Sequence, residues 1–114
     1  MDILMKHLAV FIALIFSTHL LAQPTWHTSK ILRVYPQADG RVVVIFESDN
    51  PSCTNANTPK YYYIGVGENG VTDAGLTKIY SALLTAGASG REVTINFDSS
   101  SAYCEINRVS VWFQ

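Results

Sequence analysis

Residues 74–97 read AGLTKIYSALLTAGASGREVTINF, and their apolar spacing changes once, at Gly90. Before it, Leu76, Ile79, Tyr80, Leu83, Leu84 and Gly87 recur at intervals of three and four. That is one face of an amphipathic helix over residues 74–89. Thr72 or Asp73 offers a side-chain oxygen to cap its first turn, and Gly90 suits the left-handed position that ends it. After the glycine, Val93, Ile95 and Phe97 alternate with Thr94 and Asn96, the period of a strand over 92–97 with one buried face.

Upstream of the helix the chain is strand-like. Residues 30–35 (KILRVY) and 41–47 (RVVVIFE) are β-branched runs joined through Asp39-Gly40, a hairpin signal because glycine accepts the positive φ of such turns. Residues 48–60 are polar and carry Pro51 and Pro59, which makes them a loop. A third strand is expected over 61–66 (YYYIGV), followed by a turn over 67–73. Downstream, 98–103 is a Ser-rich turn. Residues 105–113 form a fifth strand, Val109, Val111 and Phe113 alternating with Arg108, Ser110 and Trp112. The order β-β-β-α-β-β in some ninety residues is the layout of a five-stranded OB-like barrel, with its helix between strands three and four. An open α+β sandwich satisfies the same pattern.

The first 22 residues are of another kind. Lys6 precedes the apolar run 8–16 (LAVFIALIF), and Leu20-Leu21-Ala22 follows before the polar Gln23. This is the order of a cleaved secretory signal, which leaves residues 23–114 as one small domain outside the cytoplasm, secreted or periplasmic. A spanning helix would need about 20 apolar residues, and Ser17, Thr18 and His19 break the run. No membrane insertion is therefore expected. Export also decides the reading of the two cysteines, Cys53 and Cys104. In an oxidising compartment they form one disulfide, which on the chain-entropy model contributes roughly 4 kcal/mol to so small a fold. Cys53 lies ahead of the third strand and Cys104 at the start of the fifth. In an OB barrel these two strands run parallel and close the sheet, so both cysteines fall at the same end.

Residues 81–95 (SALLTAGASGREVTI), with weaker support from the hairpin 29–46, resemble the B subunits of bacterial AB5 toxins, most nearly that of Shiga toxin. The resemblance covers about half of the exported chain. It implies a non-catalytic OB barrel, a homopentameric ring and recognition of cell-surface glycans. In the family, acidic residues of the first hairpin loop touch the glycan, and here only Asp39 remains there. Thr77 stands where the family has a tryptophan near the helix start, and the first cysteine precedes strand three rather than strand one. What transfers is the architecture, not the glycan specificity. A ring would associate through the 76–87 helix and the sheet edges.

Among motifs, residues 65–70 (GVGENG) spell G-x-G-x-x-G. A dinucleotide site needs the helix to open at the third glycine, and here it opens later, so these are read as turn glycines and no cofactor is expected. A formal net charge of −1 offers no basic face for nucleic acid. His27 is the sole histidine after residue 22, which leaves neither a metal cluster nor a nucleophile–base pair, and no enzyme is expected. The candidate site is instead a surface. Alternation sends Tyr61 and Tyr63 outward when Ile64 and Val66 point inward, and Arg108, Ser110 and Trp112 outward on strand five. Strands three and five being neighbours, Tyr61, Tyr63, Arg108 and Trp112 would form one exposed aromatic patch with a cation beside it, and Asp39 is added from the hairpin. Such a patch suits a glycan or a protein partner.

Overall fold

The computed structural model describes residues 21–113; most of the expected signal segment, residues 1–20, lies outside them. The elements are β1 (Pro24–Pro36), β2 (Val42–Phe46), β3 (Tyr62–Ile64), α1 (Asp73–Ser89), β4 (Glu92–Asp98) and β5 (Ile106–Val111). The order β-β-β-α-β-β is the expected one. All five strands join one antiparallel sheet in the spatial order β3-β2-β1-β4-β5.

The helix behaves as its sequence requires. Thr72 is the N-cap, its side chain accepting from the Gly75 N–H at 3.0 Å, and Gly90 ends the helix at φ 66°. Leu83 and Ala86 are fully buried, with Leu76, Ile79 and Tyr80 packed beside them. Leu84 is 45% exposed, contrary to expectation. The buried stripe runs through Ala86 instead, the small residue that lets α1 approach the sheet. The helix covers the inner face of β1, β4 and β5, where Val93, Ile95, Phe97 and Ile106 meet Val42, Val44, Phe46, Tyr62 and Ile64 of β2 and β3 in a single core.

Three expectations about the strands are corrected. The first strand begins at Pro24, not at residue 30. Residues Pro24–Lys30 pair with β4, and Ile31–Pro36 pair with β2, so one strand of 13 residues serves two ladders. The change of partner coincides with a register shift between Ile31 and Arg33 that leaves Leu32 54% exposed. A bulge of this kind bends the strand it interrupts. Residues 24–29 carry no apolar run, which hid the strand; His27 replaces an aliphatic residue on the inner face, stacked 6.0 Å from Tyr62 and edge-on to Phe46 at 5.5 Å. Second, the strands at 61–66 and 105–113 are shorter than expected. Val66 and Phe113 lie beyond β3 and β5 and are 49% and 66% exposed.

Third, the sheet does not close into a barrel. No parallel ladder joins β3 to β5. The two edges are fastened at one end by the Cys53–Cys104 disulfide, with Cα atoms 5.8 Å apart, and by one backbone hydrogen bond from Tyr63 to Tyr103. Asn55 completes the fastening. Its amide donates to Tyr61 O at 2.8 Å and Ala102 O at 3.1 Å, while its Oδ1 accepts from the Tyr61 N–H at 3.3 Å. Closure is thus made by side chains where a barrel would use a ladder, because β3 has only three residues to offer.

Candidate ligand-binding face

The expected single patch separates into two groups. Although β3 and the start of β5 meet at the seam, Tyr61 and Tyr63 pack against Tyr35, Tyr103 and Arg41. Arg108 instead lies against Trp26, and the Trp112 indole bonds Thr94.

The tyrosine group is centred on β2. All five residues of β2 are buried, although only Val42, Val44 and Phe46 join the core. Val43 and Ile45 face the other way, and Val43 lies in register between Tyr35 and Tyr63. Tyr61 meets Tyr35 edge-on at 6.0 Å, and Tyr63 meets Tyr103 at 5.3 Å. The Arg41 guanidinium sits 5.2 Å from the Tyr63 ring centre and 5.5 Å from that of Tyr103. Its Nε donates to Asp39 Oδ2 at 3.0 Å, and the Arg41 backbone N–H donates to Asp39 Oδ1 at 3.0 Å. That backbone bond, then the side-chain bond, holds the Asp39 carboxyl below its ordinary pKa. Burial and a hydroxyl contact with Tyr61 push Tyr35 up to about 12. Tyr61, Tyr63 and Asp39 are therefore engaged with one another's neighbours. Tyr35 and Tyr63 flank the buried Val43 from the neighbouring strands.

The same cluster accounts for the glycine motif. Gly67 and Gly70 adopt φ 81° and 78°, with Asn69 between them at 51°. A Cβ on Gly65 would lie 2.9 Å from Glu68 Oε2. The glycines admit a tight turn and the Glu68 carboxylate, and α1 begins three residues past Gly70, so no N-terminal amides converge where a pyrophosphate would lie.

The second group lies on the outer face of β1, β4 and β5. Cross-strand register sets Trp26 opposite Asn96, which is opposite Arg108; the next row is Thr28, Thr94 and Ser110. Lys30 stands opposite Glu92, whose carbonyl accepts from the Trp112 N–H at 3.1 Å. Two tryptophans thus occupy diagonal corners of a flat polar field, each 54% exposed. Both are held. The Arg108 guanidinium lies 5.9 Å from the Trp26 ring centre. The Trp112 indole N–H donates to Thr94 Oγ1 at 2.9 Å, and that hydroxyl is 2.7 Å from Thr28 Oγ1. Arg108 and Trp112 were legible as outward residues of strand five. Trp26 is not legible as their partner, because residues 24–29 carry no apolar run to mark them as a strand.

Among the described residues, no group of three or more His, Cys, Asp or Glu side chains is placed to hold a metal, and no helix is long and apolar enough to cross a membrane. No family model and no curated protein matches the sequence. Solved structures do match the fold. The B subunit of heat-labile enterotoxin from E. coli, carrying a peptide with anti-HSV activity, aligns with a TM-score of 0.57 at 12% identity, covering 87% of this chain and 90% of its own. The B subunit of human heat-labile enterotoxin from E. coli, carrying such a peptide, gives 0.57 and 12%, covering 90% and 91%. The AB5 B-subunit resemblance carried by residues 81–95 therefore holds at the level of the fold.

Proposed function

We propose that this protein is an exported, non-catalytic binding module that takes saccharides on the outer face of β1, β4 and β5. The observation that carries this reading is the arrangement of Trp26 and Trp112, half-exposed and fixed, at two corners of a field of hydroxyls (Thr28, Thr94, Ser110) with the Arg108 guanidinium at a third. A pyranose ring has an apolar face of C–H groups and a rim of hydroxyls. Exposed aromatic faces interspersed with hydrogen-bonding side chains match both parts. The likeness to toxin B subunits supports a binding role, and self-association would use α1 and the sheet edges. Export agrees with the apolar segment 8–16 and with a disulfide, a bond that persists in oxidising compartments.

A glycan-array screen of residues 23–114, with Trp112→Ala and Trp26→Ala alongside, tests the reading. Saccharide binding by the wild type, weakened at least tenfold in both variants, is the expected result. Silence across the array, or unchanged binding by both variants, contradicts it.

A second reading rests on a different surface. Ile31, Leu32, Val34, Leu83, Leu84 and Gly87 line a groove between β1 and α1, with Leu32 and Leu84 about half exposed. An apolar groove of this kind favours a protein partner. Stoichiometric recovery of one exported protein, abolished by Leu84→Asp and unaffected by Trp112→Ala, would establish that reading instead.

A further inference from the structure

We infer that the cleft beside Trp112 is an anion subsite of the saccharide face, recognising one carboxylate or sulfate group carried on a sugar ring. This rests on the saccharide reading and names the ligand class within it.

The cleft has a volume of about 240 Å³ and is lined by Lys30, Gly90, Arg91, Glu92 and Trp112. Local backbone structure brings these residues together. Gly90, in the left-handed region, ends α1, and the Arg91 N–H returns to Ala86 O at 2.9 Å, so the helix ends in a tight reversal that delivers Arg91 to the head of β4. Lys30 is the last β1 residue paired with β4, directly opposite Glu92. The wall is Trp112, whose ring is held by its bond to Thr94. A wall already fixed costs little further side-chain entropy when a ligand packs on it.

Charge selects the ligand. Among the described residues, the ion pairs within 4 Å are those of Arg41 with Asp39 and Glu68. Lys30 and Arg91 have no carboxylate in that range, although Glu92 is the cross-strand neighbour of Lys30. Two cations and one carboxylate leave the cleft with one unit of positive charge, matched by one anionic group. A polyanion such as nucleic acid would need a run of cations, and a chain of net charge −1 does not supply one. Glu92 then has a separate use, since an ionised carboxylate only accepts and so suits sugar hydroxyls. Cation pair, acceptor and aromatic wall together fit a pyranose with one acidic substituent.

The test is equilibrium binding of residues 23–114 to lactose, sialyllactose and sulfated lactose, with the Lys30→Gln/Arg91→Gln double variant and a Lys30→Arg/Arg91→Lys control. Both substituted side chains are exposed, and an unchanged thermal midpoint confirms the fold. The wild type should prefer at least one acidic probe over lactose by tenfold or more. The Gln variant should lose that preference while keeping its lactose affinity, and the control should retain it. The better acidic probe identifies whether carboxylate or sulfate is the group recognised. Equal binding of all three saccharides, or a preference that survives in the Gln variant, overturns the anion subsite and leaves the saccharide reading standing. Binding of no saccharide overturns both. Retention of a single-stranded oligonucleotide that competes with the acidic probe shows a polyanion surface and overturns the subsite.

Discussion

The Tyr63 N–H donates to the Tyr103 carbonyl at 3.2 Å, and among the described residues no other backbone hydrogen bond joins β3 to the chain entering β5. The sheet is therefore held at its open seam by the Cys53–Cys104 bond, by Asn55, by this backbone contact and by the Asn69 amide donating to Glu105 O at 2.8 Å. The bond closes a loop with a sequence separation of 51 residues. Cys53→Ala/Cys104→Ala should cost roughly 4 kcal/mol on the chain-entropy model and lower Tm by more than about 10 °C. Calorimetry of the double variant checks this; a fall of only a few degrees would mean that the seam holds without its covalent link.

Asn55 should matter about half as much. Asn55→Ala leaves the Tyr61 and Ala102 carbonyls and the Tyr61 N–H without their partner, at a cost of about 2 kcal/mol. Because the disulfide fastens the same two segments, the two losses should not add. Denaturant unfolding of the single and combined variants measures the coupling directly.

Two glycines of one helix should respond with opposite signs. Gly87 is inside α1, and an added Cβ would meet Ile31 at an ordinary 3.9 Å, so Gly87→Ala should stabilise by about 0.5–1 kcal/mol. Gly90 has open space around it but a φ of 66°, so Gly90→Ala should destabilise by about 1–2 kcal/mol. Thermal melts of the two variants, run side by side, decide it.

Asp98 anchors the start of β1. Its Oδ1 accepts from the Gln23 N–H at 3.0 Å and from the Ser100 N–H and hydroxyl at 2.9 and 2.6 Å. Burial works to raise its pKa, but these hydrogen bonds outweigh it and the pKa is lowered. A carboxyl lowered by folding stabilises the protein above its ordinary pKa, and that stabilisation is lost as pH falls through the folded value. Asp98→Asn should melt below the wild type at pH 7, and the gap should narrow as pH falls through the folded value, which thermal melts across the acid range measure. Cleavage after Ala22 would turn the Gln23 nitrogen into an α-ammonium facing this carboxylate. The gap at pH 7 should then be wider in chains beginning at Gln23 than in chains extended by Leu21-Ala22.

How far the sequence reached depended on the range of each interaction. Helix α1 and its caps were legible because spacing and capping act within a few residues, as Thr72 and Gly90 illustrate. The disulfide was legible because only two cysteines exist. The start of β1 was not, since Trp26, His27 and Thr28 become a strand only through β4, some seventy residues away. The grouping of the candidate face was beyond the sequence for the same reason: alternation gave the outward direction of Tyr61, Tyr63, Arg108 and Trp112, but which side chains meet is a property of the whole sheet. The two edges meet only around Tyr63 and Tyr103, and Arg108 and Trp112 lie farther along the chain, against Trp26 and Thr94.

The chain holds two tryptophans, and both lie on the proposed face. Their indole N–H resonances, followed by heteronuclear NMR during titration with a saccharide that binds, test the central claim most directly. Both indole signals should shift in proportion to occupancy, together with the amides of Thr94 and Ser110, while those of Tyr61 and Tyr63 stay in place. Saturable binding that leaves both indoles unmoved and shifts the Tyr61–Tyr63 amides would contradict it.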